Sequence, residues 1–355
     1  MERTARTLVR THRYGGGIGT RLSGRHPRNR GALNRRPGWA IVGTGGISRT
    51  TAGDLHMTEN LDLVAVASRT IEKASEFAAE FEVPRAYGDY DALFEDDQVD
   101  VVYIGTPIGT HEAIARQALM AGKHVLVEKA FTTTAREARG LAALAAKQGR
   151  FLMEAMWMRF NPAFVRMLEE IEDGAIGDVR CVQASFGFPA PPEWNHWRPE
   201  LGGGALLDMG VYPLTLAHVL LGIPDSIEAT GEVREDGLDL TASVYLRYDD
   251  GRFASALTSL RAFVGAGATI GGSTGFVTYD EPFLSAGSFH VESPPFGTPC
   301  TVTVELEGNG YVPMFRAVNE AISDGLLEQP LRPLSDTIAV LDTIDEVRRQ
   351  LLAGG

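Results

Sequence analysis

The stretch Trp39-Ala-Ile-Val-Gly-Thr-Gly-Gly-Ile-Ser48 decides the fold. Its first four residues are an apolar run typical of a strand that is covered on both faces of a parallel sheet. The glycines at positions 43 and 45 permit a tight turn, and a helical pattern begins near residue 48. Strand, glycine turn and helix in this order are the setting in which a dinucleotide pyrophosphate binds at a helix N-terminus.

The glycine turn predicts a cofactor site. Gly43 would form the tight turn, and Gly45 would let the backbone approach the pyrophosphate. Ser48 stands where the fingerprint has its third glycine or alanine, which is a small departure. The alternative is a structural glycine turn without a ligand. The turn residues that we expect to bind the cofactor are Gly43, Gly45, Gly46 and Ile47.

The alternation of apolar runs and helical patterns continues through residues 39–157. This rhythm predicts an α/β domain, a doubly wound parallel sheet of the Rossmann type. The predicted strands are 39–42, 61–67, 99–104, 124–127 and 151–155. The predicted helices lie near 48–58, 71–82, 88–95, 111–121 and 134–148.

The rhythm changes after about residue 160. Successive β-rich runs without intervening helices predict a C-terminal α+β domain with a large, mostly antiparallel sheet. The runs are 179–188, 226–235, 239–248, 252–262, 267–279 and 288–305, with helices near 161–173, 205–221, 311–324 and 335–352. The 355 residues thus divide into an arginine-rich head (1–37), a nucleotide-binding domain (38–157) and a C-terminal domain (158–355).

The charge is distributed unevenly. Residues 1–36 hold ten arginines and one acid, for a net charge of +9, and the whole chain carries −13, which leaves −22 for the remainder. A body this acidic would repel nucleic acid and anionic membranes. We also expect no bilayer span, because no apolar run reaches about 20 residues. The head is open to three interpretations: a disordered tail or misplaced start, a transit peptide, or a twin-arginine signal at Arg35-Arg36 that lacks the required apolar region.

Cysteine usage is sparse. Cys181 and Cys300 are the only two cysteines, and they lie far apart. The spacing predicts neither a disulfide framework nor a zinc site, so we expect no metal and a reducing, cytoplasmic location.

The end of the second predicted strand favours one nicotinamide cofactor over the other. An enzyme that uses NAD usually has an acidic residue here for the ribose 2′-hydroxyl, whereas this chain has Ser68-Arg69. A hydroxyl and a guanidinium suit a 2′-phosphate, and Lys73 lies close by in sequence. NADP is therefore the predicted cofactor and NAD the alternative; the competing interpretation is a solvated arginine at a strand end.

Two further strand ends carry polar residues at the ligand-binding edge. Thr106-Pro107 follows one strand, and His111 begins the next helix, where we expect it to line the cofactor. Glu128-Lys129 ends another strand, and a lysine shielded from water beside nicotinamide would have a lowered pKa and bind the reacting oxygen. The alternative is a surface lysine paired with Glu128.

A glycine run near residue 202 supports the catalytic interpretation of Lys129. In Gly202-Gly-Gly-Ala-Leu-Leu-Asp208-Met-Gly-Val-Tyr212, the acid and the phenol are four residues apart and share a helix face. A carboxylate and a phenol beside a lysine form a proton-transfer group. The alternative is a helix N-terminal acid and a core tyrosine.

These motifs together resemble the Gfo/Idh/MocA oxidoreductase family from Trp39 to nearly the C-terminus. The motifs that carry the resemblance are Gly43-Thr-Gly-Gly-Ile47, Thr106-Pro107 with His111, Ala121–Lys129, Met153–Phe160 and Leu201–Tyr212. Met-Glu-Ala-x-Trp-x-Arg-Phe and Asp-x-Gly-x-Tyr resemble the branch of dimeric dihydrodiol dehydrogenases and NADP-linked aldose dehydrogenases. Ala130 departs from the family's usual proline.

The resemblance implies roles for individual residues. Lys129 and Tyr212 would handle the substrate proton, with Asp208 supporting them. Trp157 and Arg159 would line the nicotinamide end; Phe186 and Arg198 are weaker substrate-pocket candidates. The segment Pro189–Trp197, with Trp194, His196 and Trp197, matches nothing in the family pattern, and we expect it to shape substrate choice.

The implied activity is hydride transfer between NADP and a hydroxyl of a sugar, polyol or dihydrodiol. Two alternatives remain: a non-catalytic nucleotide-binding regulator of the same fold, and a glycosidase-type member that holds NAD. The resemblance also implies that one face of the C-terminal sheet is open and that the chain pairs through it as a dimer or tetramer.

Overall fold

The computed structural model describes residues 35–294 and 297–354, so most of the arginine-rich head lies outside the described residues. At the start of this range, Arg35 forms an ion pair with Asp100 at 2.7 Å. The backbone carbonyl of Pro37 accepts a hydrogen bond from Asp62. The last three residues of the predicted head therefore contact the first sheet.

The N-terminal half is built on a six-stranded parallel sheet, which confirms the predicted α/β class. Its strands are β1 (Gly38–Val42), β2 (Asp62–Ala67), β3 (Arg85–Tyr87), β4 (Val101–Ile104), β5 (His124–Glu128) and β6 (Leu152–Ala155). Its helices are α1 (Gly46–Met57), α2 (Ile71–Glu80), α3 (Tyr90–Phe94), α4 (His111–Met120) and α5 (Ala135–Gln148).

The strand order is β3-β2-β1-β4-β5-β6. The chain adds strands on one side of β1 up to β3 and then on the other side from β4 to β6, so the switch point lies between β1 and β4. Ligands of such sheets bind in the crevice at the carboxyl ends of the strands beside this switch point. The short strand β3 was not predicted, because three half-buried residues do not make a recognisable apolar run. The remaining strands were predicted to within two residues of their ends.

The C-terminal half is built on an eight-stranded sheet of order β14-β13-β12-β11-β7-β10-β9-β8. Every neighbouring pair is antiparallel except β7 with β10, as the mostly antiparallel prediction requires. The strands are β7 (Val179–Gly187), β8 (Ser226–Val233), β9 (Asp239–Arg247), β10 (Phe253–Ser259), β11 (Ala268–Gly272), β12 (Phe276–Tyr279), β13 (Ser288–Glu292) and β14 (Cys300–Thr303).

One face of this sheet is covered and the other is open. Helices α7 (Val211–Leu221) and α9 (Leu334–Ala353) pack on the covered face, where Val182 and Ala184 are buried, whereas Gln183 between them is exposed. The run 267–279, predicted as one strand, is two strands, because the chain reverses at Gly272–Gly275 with a 2.8 Å backbone hydrogen bond. The run 288–305 likewise divides into β13 and β14.

The remaining helices, α6 (Pro162–Glu172) and α8 (Val312–Ser323), connect the two halves. On α8, the Asn319 side chain accepts a hydrogen bond from the Trp39 indole at 3.2 Å and donates one to the Asn60 carbonyl at 2.9 Å. The Asp345 carboxylate of α9 accepts the Ala135 N–H at the start of α5. The closing helices therefore pack back on the first sheet and hold the two halves in one arrangement.

One helical stretch within the described residues has the length and composition of a membrane span, contrary to our expectation. It runs from Pro199 to Leu221, and 78% of its most apolar window is buried inside the protein. Such burial is what a core helix shows. The stretch contains Asp208 and Tyr212, so its position matters for the site described next.

Candidate active site

The glycine turn and the start of α1 form an open cradle. Gly43 has a φ of +100°, and a Cβ there would lie 2.9 Å from the Gly105 carbonyl oxygen, so this position requires glycine. A Cβ at Gly45 or Gly46 would meet no described atom within 4 Å. Among the described residues no side chain caps α1, so its first N–H groups face this open space. The arrangement fits a dinucleotide pyrophosphate.

Ser48 is compatible with this cradle although the fingerprint calls for glycine. Its hydroxyl lies 3.4 Å from the Gly105 carbonyl oxygen, and a Cβ at Gly105 would lie only 2.4 Å from that hydroxyl. Because residue 105 is glycine, helix α1 can still approach the end of β4 closely although position 48 carries a side chain.

The end of β2 lies beside the glycine turn. The hydroxyl oxygens of Thr44 and Ser68 are 3.2 Å apart, while Arg69 is exposed next to them. Helix α2 begins two residues later, and Lys73 lies exposed in its first turn. Two hydroxyls, two cations and a helix N-terminus suit a 2′-phosphate. Thr44 was not singled out from the sequence, because a polar residue inside a glycine turn gives no signal of its own.

His111 joins the ends of β4 and β5. It is fully buried, and its ring nitrogens lie 2.7 Å from the Thr106 carbonyl oxygen and 3.0 Å from the Ala130 carbonyl oxygen. Burial lowers the pKa of His111. Its contacts position the two strand ends; the predicted contact with the cofactor stays a prediction, as it does for Thr106 and Pro107. The Lys129–Ala130 peptide bond is cis, and Ala130 is fully buried.

Lys129 and Asp208 form the centre of the site. The lysine Nζ lies 2.5 Å from the Asp208 Oδ1 and 2.8 Å from the Asp208 carbonyl oxygen. Both side chains are largely buried. The same ammonium lies 5.2 Å from the centre of the Tyr212 ring. The structure thus brings together the three residues predicted to handle the substrate proton.

The charge state of Lys129 differs from our expectation. Burial disfavours the ammonium, but the Asp208 carboxylate outweighs burial, and the pKa of Lys129 lies well above its ordinary value. Burial likewise opposes ionisation of Asp208, but Lys129 and His196 hold the pKa of that carboxyl far below its usual range. The predicted lowering of the lysine pKa is therefore wrong: the contact with Asp208 favours the charged ammonium.

Tyr212 is the titratable hydroxyl of the site. Burial raises the pKa of Tyr212 to about 12, although the nearby Lys129 charge opposes this rise. The Tyr212 oxygen accepts a 2.9 Å hydrogen bond from the indole N–H of Trp157. The Tyr212 ring therefore has the Lys129 ammonium beside it, and its oxygen has the Trp157 indole as a hydrogen-bond donor.

The glycine run positions Asp208 and Tyr212. Gly204 has a φ of +120°, and a Cβ there would lie 2.5 Å from a carboxylate oxygen of the buried Asp239. The other oxygen of Asp239 accepts the Leu206 N–H at 2.6 Å, which holds the start of the helix. Residues Leu206–Gly210 form a π-helical turn before α7 begins, so the helix face shared by the acid and the phenol spans a change of helical type.

His196 is the residue of the site that sequence reasoning did not assign. Its Nε2 lies in close contact with Asp208 Oδ2, the oxygen that does not contact Lys129. The histidine lies in a short 3₁₀ turn, Asn195–Trp197, within the segment that we expected to shape substrate choice. A histidine in a loop with no repeating pattern around it gives no sequence signal for such a contact.

Aromatic side chains extend from Tyr212 towards the surface. The Phe186 ring packs edge-on against Tyr212 at 5.7 Å, Phe188 packs on Phe186 at 6.0 Å, and Trp194 packs on Phe188 at 6.1 Å. Trp194 is 43% exposed, so the wall of rings reaches solvent. Phe186 is thus close to the phenol, whereas Arg198 is exposed at the end of the loop. Both substrate assignments stay predictions.

Two other predicted cofactor residues have structural contacts. Glu128 is buried and accepts hydrogen bonds from the Tyr103 hydroxyl at 2.8 Å and from the Lys129 N–H at 3.1 Å. Burial raises the pKa of Glu128 to about 7. Arg159 is buried 3.6 Å from Asp336, and its Nε and Nη1 have no hydrogen-bond partner in the described part of the chain. The cofactor roles of Glu128, Trp157 and Arg159 stay predictions.

The fold and the cradle define a nucleotide-binding protein, and comparison with known families specifies its class. Residues 38–156 match the Gfo/Idh/MocA oxidoreductase family, NAD-binding Rossmann fold, and residues 164–278 match the Gfo/Idh/MocA C-terminal domain. The chain belongs to the Gfo/Idh/MocA family of oxidoreductases.

Several characterised relatives are similar over most of their length. The trans-1,2-dihydrobenzene-1,2-diol dehydrogenase of Mus musculus is 34% identical over 329 residues, which cover 88% of this chain and 96% of the relative. A 3-ketoreductase from Actinomadura kijaniata, solved with NADP and TDP-benzene, is 27% identical with a TM-score of 0.80, covering 89% of this chain and 98% of that one. An aldose-aldose oxidoreductase from Caulobacter crescentus, at 24% identity and a TM-score of 0.81 over 90% and 99% of the two chains, shares the fold.

Proposed function

We propose that this protein is an NADP-dependent dehydrogenase that transfers hydride between the nicotinamide and a hydroxyl-bearing carbon of a dihydrodiol, sugar or polyol. The observation that carries the proposal is the contact of Lys129 with Asp208 and with the Tyr212 ring, at the strand edge that also carries the α1 cradle. The dihydrodiol dehydrogenase and 3-ketoreductase relatives support this choice of reaction.

Tyr212 is the proton-transfer residue in this proposal. In reduction, its phenol gives a proton to the substrate oxygen; in oxidation, its phenolate takes the hydroxyl proton. The bound nicotinamide supplies or accepts the hydride. General acid–base transfer of this kind contributes roughly 10²- to 10⁴-fold to a rate.

Lys129 supports this transfer as a fixed cation. Its charge lies over the Tyr212 ring, where it stabilises the phenolate and the alkoxide character that develops on the substrate oxygen. Asp208 holds the ammonium in place through two contacts, to its carboxylate and its backbone carbonyl. A lysine that stays protonated cannot accept the substrate proton, which leaves that role to Tyr212.

The choice of NADP rests on the end of β2. Ser68, Thr44 and the exposed Arg69 stand where an NAD enzyme would have a carboxylate for the ribose 2′-hydroxyl. A phosphate placed there would gain charge-assisted hydrogen bonds from the guanidinium. NAD lacks this phosphate and would gain none of them.

We also propose that the chain forms a homo-oligomer, a dimer or tetramer, in the cytoplasm. The open face of the C-terminal sheet supports this, because it carries partly exposed side chains from several adjacent strands, among them Gln183, Ser255 and Leu257. Light scattering after size-exclusion chromatography tests it, and a monomer at micromolar concentration would contradict it.

Fluorescence titration with NADPH and NADH, followed by a reduced-nicotinamide absorbance assay, tests the proposed function. The substrate panel consists of trans-dihydrodiols, aldoses and inositols. We expect NADPH to bind more tightly than NADH and one substrate class to turn over. Binding without turnover on the whole panel, together with capture of a stable protein partner, would favour a regulator instead.

A further inference from the structure

The two oxygens of the Asp208 carboxylate have different partners. Oδ1 contacts the Lys129 ammonium, and Oδ2 contacts His196 Nε2. We propose that His196 is a positioning residue of the proton-transfer site, which fixes the Asp208 carboxylate so that Lys129 stays over the Tyr212 ring. This proposal rests on the proposed function and adds a residue that the sequence pattern did not assign.

The loop that carries His196 is firmly held. The His196 carbonyl oxygen accepts the Gly204 N–H at 2.9 Å, and a Cβ at Gly203 would lie 2.5 Å from that same oxygen. The loop therefore packs directly on the glycine run that leads into Asp208. The loop also packs through Trp197 against a small buried apolar cluster, which consists of Ala190, Ala205, Met209 and Leu260.

The side chain of His196 is held as well. Its ring packs on Trp194 at 5.1 Å and on Phe188 at 6.5 Å, and only 18% of the side chain is exposed. These contacts restrict the ring orientation and direct Nε2 at Asp208. A fixed donor of this kind orients a carboxylate in the way that outer partners orient the ligands of metal sites.

The charges around the site determine what the loss of His196 would do. The groups that face the Asp208 carboxylate are Lys129 from the end of β5, His196 from the loop and Tyr212 from α7; Glu128 also faces Lys129 and Tyr212. The negative charge of Asp208 opposes ionisation of Tyr212. An imidazole N–H that donates to Oδ2 draws part of that charge away from the phenol.

Removal of this donor should therefore make the phenolate harder to form. We expect His196→Ala to lower kcat for alcohol oxidation about tenfold, comparable to the lower end of the effect found for outer partners of metal ligands. The acid limb of the kcat–pH profile should move to higher pH. His196→Gln, which retains an N–H donor, should recover part of both losses.

His290 offers a matched control. It forms a second histidine–aspartate contact, with Asp280 at 2.9 Å, and its side chain is half-buried on β13. His290→Ala should leave kcat and the pH profile unchanged. If His196→Ala also left both unchanged, or altered only the substrate KM, the positioning role would be refuted and His196 would be a packing residue of the loop.

A second measurement is independent of activity and of the cofactor. In the ¹H–¹⁵N spectrum of histidine-labelled protein, His196 should give a downfield, slowly exchanging imidazole N–H signal that is absent from His196→Gln. Asp208→Asn should shift this signal strongly upfield. An unshifted signal would refute the contact even if the enzyme were active, whereas a shifted signal in a protein without turnover would leave the contact intact and refute the proposed function.

Discussion

The indole nitrogen of Trp157 donates a 2.9 Å hydrogen bond to the phenolic oxygen of Tyr212. The same indole stacks on Tyr311 at 4.9 Å, and the Tyr311 backbone N–H donates to the buried carboxylate of Asp54 on α1 at 2.8 Å. A series of direct contacts therefore connects the helix that begins at the nucleotide cradle with the residue that we assign to proton transfer.

Trp157→Phe tests the hydrogen bond to Tyr212. The phenylalanine ring retains an aromatic surface for Tyr311 but removes the donor that stabilises the phenolate. Hydrogen bonds to charged groups contribute about 1.5–3 kcal/mol, so kcat should fall roughly 10- to 100-fold. Steady-state kinetics should show the acid limb of alcohol oxidation at higher pH; an unchanged profile would mean that the indole only packs.

Arg69→Ala tests the assignment of the 2′-phosphate site. Loss of a charge-assisted contact should weaken NADPH binding roughly 10- to 100-fold while NADH binding stays the same. Fluorescence titration measures both dissociation constants. Arg49→Ala is the matched control, because Arg49 lies nearby on α1 but its guanidinium is paired with Glu76 and Glu80. Equal weakening of both cofactors by Arg69→Ala would place the 2′-phosphate elsewhere.

The burial of His124 should make the folded protein less stable in mild acid. Its buried Nδ1 accepts the Phe151 N–H at 2.9 Å, and burial lowers the pKa of His124 to about 4 from an ordinary 6.5. Between these values the unfolded chain binds a proton that the folded protein does not. The free energy of unfolding should therefore decrease as the pH falls from 6.5 to 4, by about 3 kcal/mol from this residue.

Urea unfolding at several pH values measures that decrease. His124→Asn retains an acceptor for Phe151 and cannot titrate, so its decrease should be smaller by about this amount. The remainder includes the half-buried His218, whose pKa is also lowered by desolvation to about 4. As a control, His56→Asn at an exposed position should leave the decrease in the free energy of unfolding close to that of the wild type. Parallel wild-type and His124→Asn curves would contradict the prediction.

The fold could be predicted from the sequence because it depends on the spacing of apolar residues and on the order of strands, turns and helices along the chain. Continuous apolar runs such as Val101–Ile104 mark parallel strands, and the glycine turn marks where the nucleotide helix begins. Strand β3 was missed because three half-buried residues give no period. The division between β11 and β12 was missed because both strands are short and the turn between them contains only small residues.

The candidate site was predictable only in part. Lys129, Asp208 and Tyr212 stand in motifs with a fixed place relative to strand ends and glycines, so their meeting could be expected. The contact of His196 depends on the path of an irregular loop, which local pattern does not specify. The charge of Lys129 was predicted in the wrong direction because the sequence shows burial but not the distance to the compensating carboxylate.

Lys129→Ala provides the most direct test of the central claim, that the Lys129 ammonium beside Tyr212 supports hydride transfer. NADPH binding by fluorescence and turnover by reduced-nicotinamide absorbance should be measured on the same preparation. We expect this substitution to abolish turnover while NADPH still binds. Turnover at the wild-type rate by this variant would contradict it.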